Sequence, residues 1–163
     1  MQTSLPKQTV GCIGKCTSGL TADELDQITD NIHKTLEHQE GRKIFKKYLY
    51  RRDLRDNIEC LELYEMCSAI VEEMTELSQT ERESSLESLI ENVKQVKEMA
   101  EFLFGVQLID QDLLDRFAEA LKNPTSVSLL GLLEETRDRC CDHLSCIHKS
   151  FKHYASEPCP MNK

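Results

Sequence analysis

The sequence predicts an all-α protein with one domain. Apolar residues recur at spacings of three and four along most of the chain, and no segment alternates apolar and polar residues for long. Glycine and proline are expected between the resulting helices rather than inside them. The length of 163 residues suits a single domain that buries a core of its own.

The N-terminal third of the chain predicts a tail and two helices. Residues 1–20 combine glycine, proline, serine and threonine with little periodicity, which is typical of a flexible tail. Thr21 and Glu24 have the spacing of a capping box, so we expect the first helix to begin there. Gly41 is expected to separate this helix from the second. The apolar stripes are Leu25, Ile28, Ile32 and Leu36 in the first helix, and Ile44, Phe45, Tyr48 and Leu49 in the second.

Two longer helices are predicted in the middle of the chain. The charged segment "RRDLRD" breaks the helical pattern, and the third helix is expected from about Ile58 to Leu77. The polar segment "SQTERESS" predicts a turn, after which Ser84 or Ser85 would cap the fourth helix. Gly105 would end that helix. Its apolar stripe contains Leu86, Leu89, Ile90, Val93, Val96, Ala100, Leu103 and Phe104.

Two further helices and a tail are predicted at the C-terminal end. A short fifth helix would stop before Pro124, because proline disfavours helical backbone at the preceding Asn123. Residues 156–163 are expected to be a tail, so the domain would span residues 21–155. The stripes are Leu113, Leu114, Phe117 and Leu121 in the fifth helix, and Leu129, Leu133, Thr136, Cys140, Leu144, Ile147 and Phe151 in the sixth.

The charge distribution bears on the class of partner. The formal net charge is -9, so the molecule as a whole should not favour nucleic acid or anionic lipid. Positive charges nevertheless cluster in one short segment, which we name the basic band. Such a run is usually a solvated helix face. The basic band consists of Arg42, Lys43, Lys46, Lys47, Arg51, Arg52 and Arg55.

The cysteines are expected to be reduced. No stretch is apolar for long enough to cross a membrane, and the N-terminus lacks the apolar region of a signal peptide, which predicts a cytoplasmic protein. Cys60, Cys67 and Cys140 occupy apolar positions, where a reduced cysteine packs as a small hydrophobic residue. If the protein were exported, the even count of eight cysteines would permit disulfides instead.

No motif for catalysis is visible. The chain contains neither a phosphate-binding glycine loop in a strand-and-helix context nor a nucleophile elbow, so we expect no enzymatic activity, cofactor or small-molecule substrate. The segment "CCDHLSCIH" is the best zinc candidate. One straight helix would turn its side chains to different sides, which favours core and surface roles over a metal site. Its candidate ligands are Cys140, Cys141, His143, Cys146 and His148.

Two cysteines in the tail raise the question of membrane attachment. Acylation of Cys12 and Cys16 would combine with the basic band to supply two membrane signals, at the inner face of the plasma membrane. The alternative is a pair of exposed thiols in a flexible tail, since no specific acylation motif is present.

The segment "TLEHQEGRKIFKKYLYRRDLRDNIECL", Thr35 to Leu61, resembles the opening of a regulator of G-protein signalling (RGS) domain. Two later segments, "GVQLIDQDLLDRFAEALKNPT" and "CCDHLSCIHKSFKHY", are similar to the family's loop-plus-helix and to its last long helix. The resemblance covers about residues 22–155, and between 72 and 104 it rests on helical pattern alone. The residues in register within the first segment are Leu36, His38, Gly41, Phe45, Leu49, Asp56, Asn57 and Ile58.

The resemblance implies a fold, a partner and an activity. The family fold is a four-helix bundle beside a small subdomain built from both chain ends. Its members bind the α subunit of a heterotrimeric G protein and accelerate GTP hydrolysis by stabilising the switch regions, while the α subunit brings its own catalytic Arg and Gln. Asn57 would be the contact at the centre of this surface, because an amide both donates and accepts hydrogen bonds.

The contact surface implied by the resemblance departs from the family pattern. Arg52 stands where active members carry an acidic residue, and Cys60 with Leu61 replaces a Phe-Trp pair. Gln107 replaces a second Asn, while Asp56 and Asp142 keep the expected carboxylates. His143 and Cys146 replace a Ser and a bracing Arg. The implied partner-binding residues are thus Arg52, Asp56, Asn57, Gln107, Asp142, His143 and Cys146.

These observations leave three hypotheses open. The first is a GTPase activator of the RGS kind. The second keeps the fold as a scaffold or interaction module without that activity, which the Arg52, His143 and Cys146 departures favour. The third is a cysteine-rich helical bundle whose resemblance is accidental. Asn57 itself has a simpler alternative, because asparagine is a good N-cap and would cap the third helix without binding anything.

Overall fold

The computed structural model describes residues 21–103 and 109–156, and in these ranges the chain is all-helical, as predicted. The described residues divide into two compact units. The first takes residues up to Ile58 and those from Leu144 onward, and the second takes Glu59–His143. The helices are α1 (Ala22–Ile28), α2 (Ile32–Glu37), α3 (Gln39–Arg51), α4 (Arg55–Thr75), α5 (Gln79–Ser84), α6 (Leu86–Phe102), α7 (Gln111–Lys122) and α8 (Ser126–Ser156).

The first predicted helix is in fact two helices. The capping box at Thr21 and Glu24 is confirmed. However, α1 ends after Ile28, and Asn31 caps α2 by accepting a hydrogen bond from the backbone N–H of Lys34 at 2.9 Å. The prediction of one continuous helix was wrong because a capping residue interrupts the apolar stripe, and capping residues favour helix ends over helix interiors.

The boundary between the next two helices lies at His38 rather than at Gly41. His38 ends α2 and begins α3, where its Nδ1 atom accepts a hydrogen bond from the backbone N–H of Glu40 at 3.2 Å. Gly41 lies inside α3, and a Cβ atom there would stand only 2.6 Å from the carbonyl oxygen of Thr35. Its role is therefore to allow close approach of α2 and α3, not to separate helices. Gly131 likewise lies inside a helix, α8.

The first unit packs around a cluster of aromatic rings. Phe45 and Tyr48 on α3 meet Phe151 on α8 at centroid distances of 4.8 and 5.4 Å. His148 lies 5.9 Å from Phe45 and 5.7 Å from Phe151, and Tyr154 lies 5.4 Å from Tyr48. Ring pairs at these separations add roughly 0.5–1.5 kcal/mol each beyond their area burial. The cluster therefore holds the C-terminal part of α8 against α3.

The break at "RRDLRD" is a Schellman turn. The backbone N–H of Asp53 donates to Tyr50 O at 3.0 Å, and that of Leu54 donates to Leu49 O at 3.1 Å. This is the double hydrogen bond that closes a helix whose next residue is left-handed. Asp53 takes that conformation with a φ of 54°, and Arg52 is the C-cap. α4 therefore begins at once at residue 55, earlier than the predicted Ile58.

A short helix replaces the turn that "SQTERESS" predicted in the second unit. Ser78 and Glu81 form a capping box that begins α5, so the polar segment has its own helix start signal. Arg82 then donates from Nε to Met74 O at 2.8 Å and from Nη2 to Thr75 O at 3.3 Å. These bonds satisfy carbonyl groups in the last turn of α4, for which the helix itself offers no backbone N–H donor. Ser85 precedes α6 as expected, although its side chain makes no capping bond.

An ionic cluster joins α7 to α8 in the second unit. Both terminal nitrogens of Arg116 donate to the carboxylate of Glu135 at 2.6 Å, and Arg139 donates to Glu135 at 2.8 Å. The bond from Arg116 is the main reason that the pKa of Glu135 falls to about 2. Asp110 caps α7 and lies 3.3 Å from Arg139. The cluster thus fixes the start of α7 on α8.

Most residues of the predicted apolar stripes line the cores, whereas Leu25, Leu86, Ile90, Leu121 and Ile147 are half-buried. In α6 the helical turns place Leu89, Val93 and Val96 inside. The helix ends at Phe102 with Leu103 as its C-cap, earlier than predicted, and Gly105 lies outside the described residues. No helix in residues 21–103 and 109–156 has the length and apolar character that crossing a membrane requires. Fully buried side chains of the second unit include Cys60, Leu61, Leu63, Cys67, Val93, Val96, Ala100, Leu113, Phe117, Leu129, Leu133, Thr136 and Cys140.

The Schellman turn makes a prediction about Asp53. Asp53→Gly should raise the free energy of unfolding by about 0.5 kcal/mol, because glycine removes the left-handed strain of roughly 1–2 kcal/mol but loses chain entropy worth 0.5–1 kcal/mol. Asp53→Val should lower it by at least about 1 kcal/mol. Urea unfolding followed by circular dichroism measures both.

Asp53→Asn is the control for charge. Asparagine tolerates the left-handed region as aspartate does, so this variant should unfold like the wild type. The ion pair of Asp53 with Arg55, at 3.5 Å, is more than four-fifths exposed on both side chains and should contribute little. Equal effects of glycine and valine would contradict the left-handed role.

Candidate functional site

Asn57 lies in the first turn of α4 and does not cap it. The backbone N–H of Ile58 donates to Leu54 O at 3.0 Å, so the helix is already formed where Asn57 stands. Asn57 is the third helical residue and is half-buried. The capping alternative was therefore wrong: the residue before the helix is Leu54. Because the turn preceding α4 is closed by backbone hydrogen bonds alone, the amide of Asn57 is not needed for it.

Two more of the predicted contact residues lie at the same turn. Arg52 is exposed, and its guanidinium carbon stands 5.4 Å from the ring centroid of Tyr48, within range of a cation–π interaction. Asp56 is exposed in the first turn of α4, where a carboxylate interacts favourably with the positive end of the helix dipole. The structure thus brings Arg52, Asp56 and Asn57 together at the α3–α4 turn.

The remaining predicted contact residues come from later in the chain. Asp142 is exposed and His143 is half-buried on α8, at the end of the second unit. Cys146 is exposed on α8 and belongs to the first unit. Gln107 lies outside the described residues, as do the lipidation candidates Cys12 and Cys16, the predicted N-terminal tail and the C-terminal tail beyond Ser156, the last residue of α8.

Four thiols lie in the core of the second unit. Cys60 Sγ donates to Cys140 O at 3.5 Å, which brings α4 and α8 into contact. Burial raises the pKa of Cys67 to about 12 and that of Cys141 to about 11. A hydrogen bond from Cys60, together with burial, raises the pKa of Cys140. Cys67, Cys140 and Cys141 therefore stay protonated at neutral pH, so they act as small core residues and lack the thiolate that nucleophiles and metal ligands need.

The zinc candidates do not form a ligand set. Within residues 21–103 and 109–156, no group of three or more His, Cys, Asp or Glu side chains could hold a metal ion. Cys140 and Cys141 are buried, whereas Cys146 is exposed. His148 is buried in the first unit and bonded to Thr35. The helix turns these side chains to different environments, as its geometry requires.

His148, which the sequence indicated only as a zinc candidate, is a buried, neutral histidine. The hydroxyl of Thr35 has a single proton and donates it to Ile28 O at 2.7 Å. His148 Nε2, 2.8 Å from the same oxygen, must therefore be the donor in their hydrogen bond. Burial is the main cause that lowers the pKa of His148 to about 4, with a smaller contribution from Lys152. We name this arrangement of Ile28, Thr35 and His148 the Thr35 junction.

A weak signal for the junction is present in the sequence. Thr35 directly precedes Leu36 of one predicted stripe, and His148 directly follows Ile147 of another. A polar residue beside an apolar stripe is common at the edge of a buried helix face, so neither residue indicated a specific partner. Only the fold brings the two together, since they are 113 positions apart in sequence.

Comparisons with protein-family models, with curated proteins and with solved structures found no match to this chain. The resemblance to RGS domains therefore stays a prediction from the residues that carry it. What the structure adds is the local geometry: a half-buried Asn57 beside two exposed, oppositely charged side chains at a turn fixed by backbone hydrogen bonds.

The thiol environments predict a clear order of alkylation. A pKa of about 12 instead of 9.0 leaves Cys67 with roughly 1,000-fold less thiolate at neutral pH. Iodoacetamide should therefore modify the exposed Cys146 in the native protein and spare Cys60, Cys67 and Cys140. Peptide mass spectrometry after brief labelling measures this, and labelling in denaturing urea shows that every site can react. Fast labelling of Cys67 in the native protein would show that this side chain is not buried in the core.

The Thr35 junction predicts a loss of stability in mild acid. The histidine pKa is lowered from 6.5 to about 4 in the fold, so the unfolded chain binds the extra proton first as the pH falls. Stability is therefore fully present above pH 6.5 and is lost towards pH 4. Between pH 7 and pH 5 the free energy of unfolding should fall by about 2 kcal/mol.

His148→Gln is the matched variant for this test. The glutamine Nε2 can still donate to Thr35 but does not titrate, so the decrease between pH 7 and pH 5 should largely disappear. Urea unfolding at several pH values measures the difference. The contribution of Glu135 to the free energy of unfolding is lost only as the pH falls from about 4.5 towards 2, which lies below the range from pH 7 to pH 5. The same pH dependence in the variant as in the wild type would contradict a titrating His148.

Proposed function

We propose that the protein binds the α subunit of a heterotrimeric G protein and accelerates its GTP hydrolysis, so attenuating the signal. The observation that carries this proposal is Asn57. It lies within a segment, Thr35 to Leu61, that resembles the opening of RGS domains without a gap. It is half-buried in the first turn of α4, where the helix does not need it as a cap.

The chemistry required of Asn57 is positioning. In this mechanism the α subunit supplies the catalytic Arg and Gln, and its partner holds the mobile switch regions in the arrangement of the transition state. An amide that donates and accepts can hold a glutamine side chain or a backbone group in place. The Schellman turn before α4 favours this role, because a side chain on a fixed turn loses little freedom on binding.

The organisation of the chain also supports the proposal. The first unit is built from both chain ends and the second from the middle, which agrees with the subdomain-plus-bundle plan of the family. Cys60 and Leu61 are fully buried at the positions of the family's Phe-Trp pair, so smaller side chains fill the same core positions. Asp56 and Asp142 are exposed, as contact carboxylates must be.

A second candidate function is an interaction module that lacks GTPase-activating activity. Arg52 is exposed where active family members present an acidic residue. A reversed charge in a complementary interface costs on the order of several kcal/mol. Cys146 is exposed in place of the bracing Arg, and it offers no charged hydrogen bond to a partner. Binding without acceleration is the outcome that separates this candidate from the first.

A panel of G-protein α subunits tests the proposal. Each subunit would be loaded with GDP and aluminium fluoride to mimic the transition state, and binding would be measured by calorimetry. Single-turnover GTP hydrolysis would follow for those that bind. Binding confined to the aluminium fluoride state, together with faster hydrolysis, supports the first function. Binding with unchanged hydrolysis supports the second. No binding by the folded protein overturns the first function and leaves the second, as a module for a different partner.

Asn57→Ala should weaken this binding by at least 30-fold, since a central contact residue commonly contributes about 2 kcal/mol or more. The free energy of unfolding should stay close to that of the wild type, because Asn57 does not cap α4. Asn92→Ala is the matched control: Asn92 is also a half-buried helical asparagine, but it lies on α6 in the second unit. Equal losses of affinity in the two variants would argue against a contact at Asn57.

A further inference from the structure

The basic band separates into structural and outward-facing charges. Arg42 is half-buried and donates from Nη1 to Leu36 O at 2.6 Å, so it belongs to the packing of α2 on α3. Arg52 lies over the ring of Tyr48, at the end of α3. By contrast, Lys43, Lys47 and Arg51 are exposed along α3 as far as its last residue. These three are the exposed cations on the side of α3.

The three exposed cations share one side of α3 with an exposed aromatic ring. At 3.6 residues per turn, positions 43, 47, 50 and 51 fall within about 100° of the helix circumference and extend over about 12 Å. Tyr50 lies in this sector with 57% of its surface exposed. We name Lys43, Lys47, Tyr50 and Arg51 the α3 outer face. The one carboxylate on this side is Glu40, which is 3.4 Å from Lys43.

The opposite side of α3 is fixed in the core of the first unit. Ile44, Phe45, Tyr48 and Leu49 are at most 2% exposed. The helix therefore cannot turn over to insert an apolar face into another molecule. Any contact through the α3 outer face must be made by cationic side chains and one amphipathic ring on a convex surface. Peptide recognition by grooves or sheet edges needs a different shape.

A bilayer surface that carries anionic lipids fits these properties. Lys and Arg near such a surface are attracted at about 1 kcal/mol per charge, which is a factor of about five in binding constant. Tyrosine favours the level of the lipid headgroups, where its ring and hydroxyl face different environments. The net charge of -9 opposes association only weakly, because charges beyond a Debye length of about 8 Å are screened at physiological salt.

We propose that the α3 outer face is a peripheral docking surface for an anionic lipid bilayer. Lys43, Lys47 and Arg51 hold the headgroups by charge, and Tyr50 lies among them. The aromatic cluster on the inner side of α3 keeps the face rigid, so little conformational freedom is lost on binding. This inference is independent of the proposed function, since it uses neither Asn57 nor any α subunit.

Sedimentation with vesicles tests the inference on the full chain without acylation. Vesicles of phosphatidylcholine with phosphatidylserine are compared with vesicles of phosphatidylcholine alone, at low and at physiological salt. The wild type should sediment with the anionic vesicles only and should bind more weakly as salt increases. The variant Lys43→Gln, Lys47→Gln, Arg51→Gln should bind about 100-fold more weakly, at a factor of about five per charge.

A matched variant distinguishes the effect of the α3 outer face on vesicle binding from the effect of net charge. Lys94→Gln, Lys122→Gln, Lys149→Gln removes the same charge from exposed positions on α6, α7 and α8. It should bind within about threefold of the wild type. Equal losses in the two variants, or no preference of the wild type for anionic vesicles, would overturn the proposal. So would binding to soluble poly-glutamate without binding to vesicles, which would indicate an acidic protein segment as the partner.

Discussion

The first unit depends on a single polar junction at Thr35. Its hydroxyl donates to the last carbonyl of α1 and accepts from His148 on α8, while its own carbonyl oxygen faces Gly41 on α3. One buried residue thereby fixes the end of α1, the approach of α2 to α3 and the tautomer of the histidine. A buried polar group left without its partner would cost about 1–3 kcal/mol, so losing either hydrogen bond of the Thr35 hydroxyl would destabilise the junction.

Both proposed surfaces follow from this junction through α3. The junction and the ring cluster place Phe45 and Tyr48 inwards, which leaves the other side of the same helix to solvent. The position at which α3 ends then decides where Asn57 stands. The Schellman turn uses backbone bonds and the left-handed Asp53 to reverse the chain within a few residues. Core packing and surface chemistry are therefore two consequences of one helix orientation.

Sequence reasoning found the elements that a periodic pattern encodes. Most of the stripe of α6 and the burial of Cys60, Cys67 and Cys140 were predicted correctly because burial follows helical spacing. Sequence reasoning failed where a capping residue competes with that spacing. Asn31 separates two helices although the apolar spacing continues past it, and Ser78 begins a helix within a polar segment. It also took Gly41 for a boundary, since a glycine required for close packing looks the same in sequence as one that ends a helix.

The candidate site was likewise predicted only in part. Residue spacing located the α3–α4 turn, but it assigned the cap to Asn57 because asparagine is a preferred cap. The actual cap position holds Leu54, and the turn is stabilised by backbone geometry that a periodic pattern does not record. Since Asn57 does not cap α4, its half-buried amide has no capping role at the start of the helix. Asn57→Ala therefore tests a partner contact without removing a helix cap, and this is the physical reason to make that variant first.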